Sequence, residues 1–126
     1  MRLLMLATVG GGIGAGLRYA VQIAMMRVLG MGFPWWTFAI NIAGSFAMGV
    51  VVTLVALRFG NSAEVRTFLA TGILGGFTTF SAFSLDVSNL IETKQTAAAA
   101  FYIAGSVGLS ILALYAGLAL AKAIWS

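Results

Sequence analysis

The residues best suited to chemistry in this chain lie in one stretch, Thr71-Gly-Ile-Leu-Gly-Gly-Phe-Thr-Thr-Phe-Ser-Ala-Phe-Ser-Leu-Asp86. Hydroxyls at Thr78, Thr79, Ser81 and Ser84 alternate with rings at Phe77, Phe80 and Phe83. Gly75 and Gly76 are weak helix formers and Thr78 and Thr79 are β-branched, so a helix is expected to break across Gly75–Thr79. In hydrocarbon an unpaired backbone group is costly, so such a break must line a cavity, a partner or an ion. Freed carbonyls suit a cation and freed N–H groups suit an anion. On a two-fold axis, carbonyls from two copies would offer a four-oxygen site for a hard monovalent cation such as Na⁺. Phe80 and Phe83 are neighbours on a helix surface. Their ring edges carry positive charge and their faces negative, so edge-on they would meet a small anion and face-on a cation. The simpler alternatives are a kink at a helix crossing, with Ser and Thr re-pairing the backbone, and rings that only pack.

The other polar groups within apolar runs are Asn41, Ser106, Ser110, Arg18 and Gln22. A buried Asn needs partners. It either bonds a neighbouring helix or turns its amide N–H₂, a neutral donor, towards a permeating anion. Ser106 and Ser110 lie one turn apart on one face. Arg18 sits one or two turns inside its segment, which suits either an interface anchor beside Tyr19 or a positive group at an aqueous vestibule. Asp86 and Glu92 lie towards the far end of the hydroxyl-rich segment, and no other span contains an acid. A proton-coupled cation exporter needs a mid-membrane carboxylate, which counts against the small multidrug-exporter class. The chain has no histidine and no cysteine. That removes the usual general base, the usual zinc ligands and any disulfide framework, so an enzyme is not expected.

These groups must be held by membrane helices. Of 126 residues, 61% are hydrophobic and 8% charged, with a mean hydropathy of +1.05; soluble domains carry about 25% charged residues. The expected fold is an all-α integral membrane protein in one domain, residues 1–126, with spans near 3–26, 35–57, 67–91 and 95–121. Each span matches a hydrocarbon core of about 30 Å. The first reads as a retained helix rather than a signal peptide, because it is Gly-rich and no cleavage-type small-x-small site follows. It carries two small-xxx-small pairs, Gly10/Gly14 and Gly12/Gly16, suited to close helix packing. Pro34 followed by Trp35-Trp36 suits a helix start at headgroup level. Asn61 or Ser62 is placed to cap the third span, with Glu64 in its first turn.

With four spans, both termini and the 58–66 loop share one side, which carries Arg2, Arg58, Arg66 and Lys122. The other side carries Arg27 and Lys94, with Arg18 if it reaches the surface. This bias is weak under the positive-inside rule and permits insertion in both orientations. Two copies can then form an antiparallel homodimer with its axis in the membrane plane. The net charge of +4 reflects topology and lipid contact rather than nucleic-acid binding.

Taken together, Gly10-Gly-Gly-Ile-Gly-Ala-Gly-Leu-Arg18, Asn41-Ile-Ala-Gly44-Ser-Phe and above all Thr71-Gly-Ile-Leu-Gly-Gly-Phe-Thr-Thr-Phe80-Ser-Ala-Phe83-Ser resemble the Fluc (CrcB) fluoride channels. The resemblance covers nearly the whole chain. It implies a dual-topology antiparallel homodimer in the bacterial inner membrane. Each dimer would have two passive fluoride pores, lowering cytoplasmic fluoride, and a structural Na⁺ at the interface. By the motif, backbone carbonyls of Gly75 and Thr78 hold the Na⁺. Phe80 and Phe83 are pore aromatics, Asn41 is the amide donor, and Ser81 and Ser110 join the fluoride pathway. Arg18 draws anions to a vestibule, and Asp86 is the acid near the pore end. The resemblance also implies a hydroxyl at position 114, where this chain has Leu114; Ser106 and Tyr102 are the substitutes available on that face. A small drug or metabolite exporter and a non-transporting membrane peptide are the alternatives, the latter disfavoured by the broken third segment.

Overall fold

The computed structural model describes residues 1–126, and every regular element in it is helical. Helix α1 spans Arg2–Leu29 and α2 spans Trp35–Arg58. A short helix α3, Ala63–Arg66, leads into a π-helical stretch, Thr67–Leu74, and then α4, Gly75–Phe77. Helix α5 covers Ser81–Glu92 and α6 covers Thr96–Trp125. Four helical runs, Arg2–Leu29, Trp35–Arg58, Ala63–Glu92 and Thr96–Trp125, are long and apolar enough to cross a membrane.

Local chemistry sets the ends of these elements. Pro34 precedes α2, and the Phe38 N–H donates to the Pro34 carbonyl at 3.2 Å. Of the two capping candidates, Ser62 acts: its Oγ accepts from the Val65 N–H at 3.3 Å. Asn61 instead takes a left-handed conformation, φ 58°, in the preceding turn. Glu64, in the first turn of the third run, pairs with Arg2 at 3.4 Å on the exposed surface.

The helices pack as two parallel pairs. In the first, Gly10 of α1 lies beside Phe68 and Gly72, and Gly14 lies beside Ile73 and Phe77. A Cβ on Gly14 would strike the Ile73 carbonyl, so glycine is required for this approach. The expected second pair, Gly12 and Gly16, meets nothing within the chain. In the second helix pair, Phe38 of α2 lies level with Gly105 of α6, and Gly49 lies level with Leu114 and Gly117. Both contacts advance in the same direction along the two helices, which therefore run parallel. The apolar core lies between α5, α6 and the start of α2, where Phe83, Leu90, Ala99 and Tyr102 pack against Phe33 and Phe38.

The third run differs from expectation in two respects. Gly75 and Gly76 are helical, and the chain leaves the helix only at Thr78, which is extended at φ −83° and ψ 158°. The interruption is thus Thr78–Phe80 rather than Gly75–Thr79. Within the helix, Gly76 serves close packing, since a Cβ there would strike the Gly11 carbonyl of α1. The run also begins with wide turns. The Gly75 N–H reaches back to the Ala70 carbonyl, five residues away, as well as to Gly72. One extra residue per turn rotates everything downstream by about 100° relative to an α-helix, so this stretch sets the direction in which the interruption faces.

Candidate functional site

At the interruption, most of the backbone groups find partners in side chains. Asn41 uses both halves of its amide on Thr79: Nδ2 donates to the Thr79 carbonyl at 3.0 Å, and Oδ1 accepts from the Thr79 N–H at 2.9 Å. The Thr78 N–H and Oγ1 both donate to the Leu74 carbonyl at 3.0 Å. The Ala82 N–H donates to Thr79 Oγ1 at 3.2 Å. Arg18 Nε donates to the Gly76 carbonyl at 3.2 Å. Several carbonyls lose their helical donors at the interruption; Arg18 takes up that of Gly76 and Asn41 that of Thr79. In a continuous helix the Thr79 N–H would bond Gly75 and the Ala82 N–H would bond Thr78. Asn41 takes the first donor and Thr79 Oγ1 the second. The carbonyls of Gly75 and Thr78, the pair that the resemblance implies for a sodium ion, are among those that no side chain takes up.

Beside the interruption lies an open cleft of about 420 Å³ between α2, α5 and α6. Asn41, Thr78, Thr79, Phe80, Phe83, Ser106 and Ser110 all border it. Phe80 and Phe83 stand 5.5 Å apart between ring centroids, tilted by 44°. Phe83 is buried and packs on Tyr102 at 5.1 Å, whereas Phe80 is 76% exposed on the open side of the cleft. The Ser106 and Ser110 hydroxyls are buried, and neither has a hydrogen-bond partner. An unpaired buried hydroxyl costs about 1–3 kcal/mol, so two in succession along a cleft point to a ligand they would bind.

A second, smaller cavity of about 170 Å³ lies on the other side of the Asn41–Thr79 contact. Arg18, Gln22, Thr37 and Asp86 border it, and Arg18 and Asp86 make no ion pair. The fully buried Tyr102 donates to Asp86 Oδ2 at 2.8 Å. Arg18 is therefore turned into the molecule, onto the Gly76 carbonyl, while its neighbour Tyr19 is exposed.

The structure thus gathers Asn41, Phe80, Phe83 and Ser110 at one cleft, and Arg18 and Asp86 at an adjoining cavity. It does not bring Ser81 to either. That side chain is exposed, with its Oγ 3.4 Å from Thr79 Oγ1, because helix α5 starts at Ser81 and turns it away. Tyr102 serves Asp86 rather than the cleft, which leaves Ser106 as the hydroxyl paired with Ser110. Sequence reasoning missed Thr37, Ser45 and Met48 as lining residues. The sign available for the last two was spacing, since Ser45 and Met48 follow Asn41 on one helical face.

The chain matches known proteins over most of its length. Residues 5–118 match the family described as CrcB-like protein, Camphor Resistance (CrcB). A protein of Chelativorans sp. (strain BNC1) is 55% identical over 121 residues, covering 96% of this chain and 97% of its own length. One from Mesorhizobium japonicum is 53% identical over 121 residues, with the same two coverages. One from Rhizobium etli is 51% identical over 120 residues, covering 95% and 96%. All three carry the name fluoride-specific ion channel FluC. The four apolar runs and these relatives make the chain a multi-pass protein of the bacterial inner membrane.

Proposed function

This chain belongs to the CrcB-like family, and on that premise we propose that it is a passive fluoride channel, not an enzyme, that lets fluoride leave the cell. The observation that carries the proposal is the pair of unpartnered hydroxyls, Ser106 and Ser110, beside Asn41 and the two rings on one cleft. Fluoride is small and strongly hydrated, so its water must be replaced by other donors. Hydroxyls and ring edges replace it without a fixed positive charge that would hold the ion too long. Arg18 and Asp86 border the smaller cavity, where the guanidinium would draw anions towards the interruption.

The functional unit is an antiparallel homodimer with two pores. The exposure of Phe80 supports this, since one chain leaves its cleft open on the side where that ring stands. A partner chain would close it and bring a second set of rings. At the two-fold axis the Gly75 and Thr78 carbonyls of both chains would hold a structural Na⁺. The displaced donors of those carbonyls fit this role, because a hard cation would take up the oxygens that the helix leaves. The ion would supply positive charge that joins the two chains.

Reconstituted vesicles loaded with fluoride or chloride, made K⁺-permeable with valinomycin, test the function. Fluoride release at the electrode without chloride release is the expected result. Absence of release from well-folded protein would redirect attention to proton-coupled exchange of small lipophilic substrates.

A further inference from the structure

The cleft changes character along its length. Because α2 and α6 run parallel, their residues form levels: Phe38 with Gly105 at one end, Gly49 with Leu114 and Gly117 at the other. The polar groups occupy the first part. Asn41 and Ser45 on α2 face Ser106 and Ser110 on α6 across the same space. One turn further on, the residues that border the cleft are Met48 on α2 and Leu114 on α6, with Ile111 beside Ser110. None of the three offers a hydrogen-bond donor. The Leu114 carbonyl lies against Gly49, so the two helix backbones also approach closely near this level.

We infer that Leu114, with Met48, forms an apolar barrier at the end of the hydroxyl track and limits the rate at which fluoride passes that end of the pore. The inference rests on the fluoride-channel reading above. An anion leaving Ser45 and Ser110 in this direction meets no donor over the next turn, about 5.4 Å of helix. It must recover water there, or cross without it. Apolar constrictions of this kind oppose ions by excluding water. The hydroxyls behind it make the step uphill, because the ion leaves two bonded donors for none.

Threonine and valine at position 114 separate the donor from the width, since they differ by a hydroxyl in place of a methyl at nearly equal size. Fluoride efflux from vesicles is measured for wild type, Leu114→Thr and Leu114→Val at equal protein content. The expected result is efflux about three- to tenfold faster for threonine than for valine, the worth of one added hydrogen bond at the barrier. A second matched pair, Leu114→Ser against Leu114→Ala, should repeat the ratio and guards against a folding defect in the first. Equal rates within both pairs, or slower efflux with the hydroxyl, would overturn the barrier while leaving wild-type fluoride release intact. A wild type that releases no fluoride would instead remove the channel itself, and the barrier with it.

Discussion

Asn41 matches its donor and its acceptor to the two backbone groups of Thr79, so one amide holds the interruption in shape. Asn41→Ala leaves the Thr79 N–H and carbonyl without these partners. A loss of roughly 2 kcal/mol or more is expected, since each unsatisfied buried group costs about 1–3 kcal/mol. Unfolding in mixed detergent would show it as a shifted midpoint, alongside lost fluoride release. The two phenylalanines should separate where Asn41 does not. Phe83 is packed in the core against Tyr102, whereas Phe80 is mostly exposed in the single chain. Phe80→Ile is expected to abolish fluoride flux while the protein still folds and assembles. Phe83→Ile should lower both the flux and the unfolding midpoint. Full flux in both variants would remove the rings from the pathway.

At the scale of elements, the helix pairs depend on backbone approach at a few glycines. A Cβ on Gly14 meets the backbone of Ile73 and Phe77, and one on Gly49 meets Leu114 and Leu118. Gly49→Val should therefore push α2 from α6 and cost about 1–3 kcal/mol by overpacking, visible as a lower unfolding midpoint. Gly12→Ala meets nothing in the chain, and the better helix propensity of alanine should leave its midpoint equal or slightly higher. The capping contact of Ser62 gives a further test. Ser62→Ala should cost about 1 kcal/mol, through fraying at the start of the third run, seen as faster amide exchange at Glu64–Arg66. The π-helical stretch has a different role. Besides burying Ala70, Gly72 and Leu74, it sets the rotation at which Thr79 meets Asn41.

For the whole molecule, the proposed dimer has a consequence for orientation. Arg18 is held inside by Gly76, so the surface charge stands at four basic residues on one side against Arg27 and Lys94 on the other. A terminal tag probed from both sides of sealed vesicles should be labelled from each. Labelling from one side alone would exclude an antiparallel pair of identical chains. Elemental analysis of protein purified without added sodium should still find one Na⁺ for every two chains if the Gly75 and Thr78 carbonyls hold it.

Much of this molecule was legible before any coordinates. Four apolar runs follow from composition, because hydrocarbon admits only chains that satisfy their own backbone groups. The polar face of α6 follows from the spacing of Ser106 and Ser110, and the Ser62 cap from residue type and position. The place of the interruption did not follow. Glycine weakens a helix and also permits close packing, and local sequence does not say which role it serves; Gly76 packs against Gly11 within a helix. The wide turns of Thr67–Leu74 left no sign in residue type. The pairing of Asn41 with Thr79 joins positions 38 apart in sequence, and the inward turn of Arg18 depends on a carbonyl 58 residues away. Periodicity reports which face of a helix is polar. Only the packing of one helix against another decides which backbone group each side chain reaches, because that choice rests on rotation and depth between elements that share no local sequence.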